Sequence, residues 1–261
     1  MENENRQSKQ REDNVSNYFC AVKLPLWKQL TLFLVGWLGF QITAVVIQYL
    51  IYFANMNSGQ SMLDILSIPA NKMLVNAFAY LILFGGLIAI LNVDINKLLK
   101  SFRHWKPYVA AIACFAAIYA FNIIWNAVIG LVNFPASENA NQAAIESITD
   151  KFPLTSIVIF GLVGPICEEL TYRVGLFSLC KRKGKCFAYV ITIIVFAFIH
   201  FNFNREPLPL LNEILNLPFY AFAAAAFSFV YDRFGFAAST AAHITNNLFS
   251  LVVPMILKQF N

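Results

Sequence analysis

Charge is scarce in this chain. Of 261 residues, 13% are charged and 59% are hydrophobic, and the mean hydropathy is +0.61. Soluble domains carry about 25% charged residues, so the deficit excludes an ordinary soluble globular domain and points to a polytopic membrane protein. Cysteine is too sparse and irregular to build a scaffold. Cys20, Cys114, Cys167, Cys180 and Cys186 are odd in number and form no CxxC pair, which argues against a disulfide framework and a thiolate zinc motif. The first 27 residues hold no apolar run, which argues against a cleaved signal peptide of the usual kind. The stretch up to about Ser16 reads as disordered. Internal repeats, low-complexity tracts, a phosphate-cradling glycine loop and a nucleic-acid-binding patch are absent from the sequence. No nucleic-acid partner is expected.

Seven hydrophobic stretches are present, at 30–52, 73–91, 108–132, 154–179, 186–201, 215–231 and 237–257. A crossing helix needs about 20 apolar residues, so the expected fold is an all-α integral membrane bundle of about seven helices. Residues 1–27 form a polar tail and 28–261 one transmembrane domain, with 154–257 its core. The fifth and sixth stretches are short. The apolar, proline-broken segment 207–217 between them reads as a re-entrant or interfacial piece. Segment 134–153 reads either as an amphipathic surface helix or as a solvated connector. Lys and Arg concentrate before the first stretch, in Lys97–Lys106 and in Lys181–Lys185. Positive loops face the cytoplasm, which places the amino terminus inside and, with seven spans, the carboxyl terminus outside.

Against this apolar background, polar groups within spans stand out. Glu168, Glu169 and Arg173 lie in the fourth stretch, His200 ends FAFIH in the fifth, and His243 and Asn247 lie in the seventh. A charged group at mid-span costs about 2.5–3.5 kcal/mol on insertion scales. At 1.5 Å per residue, Glu168, His200 and Asn247 all fall roughly 20 Å from the basic end of their stretches. One shared site explains that agreement better than three separate oddities. Helical spacing adds detail. His243 and Asn247 share a face, and Glu169 and Arg173 are spaced for an ion pair. Glu168 is turned about 100° from Glu169 and is free to point into a cavity. Phe196 sits one turn before His200, placed to pack on its ring.

These groups suit hydrolysis. A carboxylate can take a proton from water while an imidazole orients it, and imidazole or amide donors can hold an oxyanion. Glu168 and His200 fit the first task, His243 and Asn247 the second. Glu168, His200 and His243 could instead bind zinc; spacing alone does not choose, and HExxH is absent. Asn122 and Asn126 read as a polar face toward the bundle, and Ser239 as a packing residue. A lone buried His or Asn is more often a packing hydrogen bond; six such residues at one depth favour a site.

The segments EELTYR, FAFIH and HITNN resemble the EExxxR, FxxxH and HxxxN motifs of the CAAX-protease and bacteriocin-processing family of intramembrane endopeptidases, over about 154–257. The resemblance implies a conical cavity and a glutamate-activated water handled by Glu168 and His200. It implies His243 and Asn247 as oxyanion donors or metal-site neighbours, with Glu169, Arg173 and Phe196 in support. It leaves metallo- and glutamate-protease chemistry, and hence zinc, both open. Eukaryotic members trim prenylated CAAX proteins; the compact chain looks like the bacterial type, linked to bacteriocin immunity and peptide maturation. The expected partner is a membrane-associated protein or peptide substrate in a bacterial plasma membrane. The alternative is a non-catalytic scaffold or immunity factor that binds a membrane partner.

Overall fold

The computed structural model describes residues 24–131, 140–202, 207–258 and 260; the expected tail therefore lies almost wholly outside the described residues. Among them the chain is helical and has no strand. The helices are α1 (Leu26–Ala54), α2 (Met62–Ser67), α3 (Pro69–Leu91), α4 (Lys106–Leu131), α5 (Ala140–Thr149), α6 (Pro153–Lys181), α7 (Lys185–Ile199), α8 (Pro207–Phe234) and α9 (Phe236–Leu257). Local chemistry sets several starts. Ser61 and Asp64 close a reciprocal capping box on α2. Pro69 and Pro153 open α3 and α6, where a missing N–H costs nothing.

Six helices are long and apolar enough to cross a membrane; in α8 that portion is Leu210–Phe234. The seventh, α7, has 15 residues and reaches about 22 Å, short of a hydrocarbon core of about 30 Å. The count of about seven thus resolves into six full-length helices and one short one. The segment 207–217 is corrected: it is the first part of α8, not a separate broken piece. Its early prolines fall in the opening turn, where they are tolerated, and Pro218 lies inside the helix.

One end of the bundle is stapled by charge. Lys28 at the start of α1 pairs with Asp94 after α3 at 2.5 Å and donates to the Leu91 carbonyl at 3.0 Å. Lys181 ending α6 and Lys185 starting α7 both pair with Asp232 at the end of α8, at 2.5 and 2.7 Å. Arg182 donates to Gln29 at 2.8 Å and to the Leu24 carbonyl at 2.9 Å. The Ala237 amide opening α9 donates to Ser101, just before α4. The seven helices therefore alternate in direction from one basic end. At the other end Lys258 pairs with Asp150 at 2.8 Å.

Two turns need glycine. Gly184 (φ 141°) joins α6 to α7, and Gly235 (φ 80°) joins α8 to α9 in one residue. Outward faces carry exposed Ile42, Val46, Ile112 and Ile124, as a lipid-facing surface does. The largest core cluster joins α1, α3, α6, α7, α8 and α9 through residues such as Leu32, Leu87, Leu170, Phe177, Ala188, Tyr231 and Phe236. In helix α5, Ile148 is buried with Met73, Ile159, Phe160 and Leu251. Segment 134–153 thus does contain a helix, but this apolar contact is to the bundle; residues 132–139 lie outside the described residues.

Helix α6 carries the polar motif and departs from α-geometry twice. Ile157–Val163 and Glu169–Phe177 are wound as π-helix, a rare form that is frequent at functional sites. Close packing holds α6 against α1. A Cβ on Gly36 would lie 1.9 Å from the hydroxyl of Thr171, a backbone approach that small residues permit between membrane helices. Gly36→Val is expected to destabilise the fold by about 1–3 kcal/mol, the usual cost of overpacking. A melting curve in detergent matching that of the natural chain would disprove this contact's importance.

Candidate functional site

A cavity of about 740 Å³ opens among α1, α3, α4, α5, α6, α7, α8 and α9, and Glu168, Phe196, His200, His243 and Asn247 all line it. The structure brings these motif residues together from α6, the end of α7, and α9. Glu169 and Arg173 lie behind the wall and are fully buried.

The two glutamates diverge as neighbouring helical residues must. The Glu168 side chain keeps 19% of its surface open, and that of Glu169 none. Arg173 Nη1 lies 3.3 Å from Glu169 Oε1, an ion pair without hydrogen-bond alignment, and Nη2 reaches the Ala224 carbonyl at 3.5 Å. The guanidinium lies 4.6 Å from the Phe196 ring and 5.4 Å from the Phe227 ring. Cation–π attraction strengthens when the cation is desolvated.

Glu169 also holds the first histidine. His243 Nδ1–H donates to Glu169 Oε1 at 2.9 Å. The same imidazole stacks on Phe227 at 4.5 Å, and its Nε2 lies 3.7 Å from Glu168 Oε2. A carboxylate on Nδ1 fixes which nitrogen faces the cavity. The second histidine is set differently. His200 Nδ1–H donates to the Phe196 carbonyl at 2.8 Å. Its ring stacks on Tyr220 at 4.3 Å and contacts Phe196 at 4.9 Å. In both residues Nδ1 is committed and Nε2 is left for chemistry.

Packing adds two partners that spacing did not give. His243, expected beside Asn247, has its Nε2 near Glu168. Asn247 donates from Nδ2 to the Phe160 carbonyl at 3.1 Å, so one of its two amide protons is committed to the π-wound part of α6. Among the described residues no three His, Cys, Asp or Glu side chains are grouped to hold a metal ion. Glu168, His200 and His243 as placed therefore do not form the ready zinc set that spacing allowed. Cys167 is buried, with Sγ 3.9 Å from the Tyr80 carbonyl. Ser239 is buried and donates to the Phe236 carbonyl. Neither is presented as a nucleophile.

Three aromatic residues escaped sequence reasoning. Tyr80 of α3 lines the cavity and interacts with Glu168. Phe227 covers both Arg173 and His243, and Tyr220 backs His200. Tyr220 and Phe227 are seven residues apart, hence on one helix face. In an apolar span that spacing marks ordinary packing just as well, so it carried no distinct signal. Asn122 and Asn126 do face the bundle interior, as their spacing suggested, and both line the cavity.

Residues 150–249 match a family model described as type II CAAX prenyl endopeptidase Rce1-like. That segment contains every motif residue. Over that segment the chain is similar to this family of type II CAAX prenyl endopeptidases. A curated relative, UPF0177 protein YvdC of Lactococcus lactis subsp. lactis strain IL1403, is 25% identical over 157 residues. That alignment covers 59% of this chain and 56% of the relative, so the chain spans little more than half of that protein's length. No solved structure matches.

The buried pair sets a clear expectation. Arg173→Ala removes the guanidinium partner of buried Glu169 and leaves it only His243, and breaking a buried pair typically costs about 3–5 kcal/mol. Folded yield and melting temperature in detergent are expected to fall sharply. The double variant Glu169→Gln with Arg173→Met, which removes both charges, is expected to recover much of the loss. A single variant that melts like the natural protein would show the pair to be dispensable.

Proposed function

We propose that the protein is an intramembrane endopeptidase that hydrolyses a peptide bond in a membrane-associated protein or peptide, using a water activated by Glu168. The observation that carries this reading is the approach of Glu168, the one carboxylate among the described lining residues, to an imidazole whose far nitrogen is held by a second, buried carboxylate. A structural ion pair alone would not need a further, open carboxylate.

Each step has a group to perform it. Water bound between Glu168 and His200 gives its proton to the Glu168 carboxylate as its oxygen attacks the scissile carbonyl carbon. His200 Nε2 accepts from the same water and aims it, its ring held by the Phe196 carbonyl and Tyr220. The oxyanion of the tetrahedral intermediate takes a hydrogen bond from Nε2–H of His243 as imidazolium. The remaining Nδ2 proton of Asn247 supplies a second donor. Such preset donors are worth more in a site shielded from bulk water. Glu168 then passes its proton to the leaving nitrogen as the C–N bond breaks, which releases a carboxylic acid and an amine. No step is routed through a metal ion.

The membrane topology fits the reading. The end rich in Lys28, Lys97, Lys181, Arg182 and Lys185 is assigned to the cytoplasm of a bacterial plasma membrane, with the amino terminus there. Residues 28–261 act as one transmembrane domain, with 154–257 as the catalytic core.

Purified protein in liposomes, offered a pooled library of membrane-associated peptides, is expected to release products detectable by mass. Glu168→Gln should lower that rate by about 10²–10⁴-fold, the usual worth of general acid–base catalysis, while leaving the melting temperature close to that of the natural protein. Cleavage by Glu168→Gln at the natural rate would refute the mechanism. Rescue of a deletion phenotype by that variant would instead favour the scaffold reading. A millimolar chelator is expected to leave cleavage intact; loss reversed by added zinc would assign the water to a metal.

A further inference from the structure

The wall of the cavity is rich in one functional group. Asn76 on α3, Asn122 and Asn126 on α4, Asn216 on α8, and Asn246 and Asn247 on α9 all line it. These six, from four helices, are among ten uncharged carboxamides that line it. Each offers two donors and an acceptor, the same functionality as the backbone of an extended peptide. Some are partly occupied: Asn76 and Asn216 each donate to a carbonyl one turn back. Asn122 Oδ1 is buried with no hydrogen-bond partner among the described residues.

What the wall omits is equally informative. Among the described lining residues there is no Lys or Arg, and Glu168 is the one carboxylate. Arg173, the nearest cation in the motifs, is fully buried behind the wall and committed to Glu169. A free carboxylate drawn into this space would be desolvated with no Lys or Arg to meet it, it would face Glu168, and the His243 imidazolium is already flanked by Glu168 and Glu169. Burying an unpaired charge is costly. Three extended residues span about 10 Å, comparable with the width of a 740 Å³ cavity. A chain ending within about three residues of the scissile bond would carry its carboxylate inside.

We propose that the cavity takes an uncharged, internal stretch of an extended peptide through carboxamide–backbone hydrogen bonds, and selects against a chain whose free carboxylate would fall within it. This rests on the peptidase reading of the same cavity and narrows its substrate class. It separates this chain from a protease that trims the last three residues of its substrate.

The test uses one peptide pool made twice, with free carboxyl termini and with carboxamide termini. Retention is measured on full-length His200→Ala protein in liposomes, with empty liposomes subtracted. That variant keeps Glu168 and every carboxamide while slowing cleavage. Carboxamide forms are expected to be retained at least ten-fold better. The natural protein should then cut them within three residues of the chain end and spare their carboxylate twins. Equal retention, preference for the carboxylate forms, or no retention of either would overturn the proposal. Asn126→Lys, or Asn216→Lys if the first does not fold, is expected to erase the preference by supplying a cation; a ten-fold preference that persists would also overturn it. Selective retention without any cutting by the natural protein would refute the peptidase reading and leave this recognition standing.

Discussion

A buried charge that cannot be left alone organises the functional half of this protein. Glu169 has no contact with solvent, and its Oε1 meets both Arg173 Nη1 and His243 Nδ1. In a hydrocarbon setting each of those groups is costly alone. Together they tie α6 to α9 at a fixed point. Phe196 and Phe227 then close over the guanidinium, which draws in α7 and α8. Four helices thus meet around one desolvated pair, and the cavity lies directly beside it.

That arrangement converts structural necessity into chemistry. The imidazole that helps satisfy Glu169 extends its other nitrogen toward Glu168. Since Glu168 and Glu169 are consecutive, helical rotation sends one carboxylate inward and the other to the cavity wall. The π-wound turn from Glu169 to Phe177 and the close contact of Gly36 with Thr171 hold that rotation in place. His200 sits at the end of a helix too short to span a bilayer, which puts its ring at mid-depth rather than at an interface. The short length of α7, which first looks like a weak membrane helix, is what positions this imidazole.

Much of this was legible in the chain itself. Scarce charge, apolar runs and loop positivity were enough to indicate a helical membrane bundle, because the hydrocarbon core constrains backbone hydrogen bonding and length so strongly. Polar residues at matched depth named side chains that the structure gathers at one cavity, since such groups are rare in lipid. The motif segment 150–249 is also where the similarity to the family model is found. Less was legible about 207–217, where proline suggested a break. A proline in a first helical turn and one in mid-segment look alike until the start of the helix is known.

Membership of the site followed from depth and spacing, but partnership did not. Sequence periodicity says which residues share a face of one helix, not which face of another helix meets them. Packing therefore decided that His243 bridges the two glutamates, that Asn247 is partly spent on the Phe160 carbonyl, and that Tyr80, Tyr220 and Phe227 complete the surroundings. Packing also decided that ten carboxamides converge on one cavity without a Lys or Arg among the described lining residues. The sequence determined a membrane bundle and the chemical groups it must shelter, because their cost in lipid depends on type and depth. The tertiary structure alone decided the pairing of those groups, because pairing depends on the rotation and approach of helices far apart in the chain.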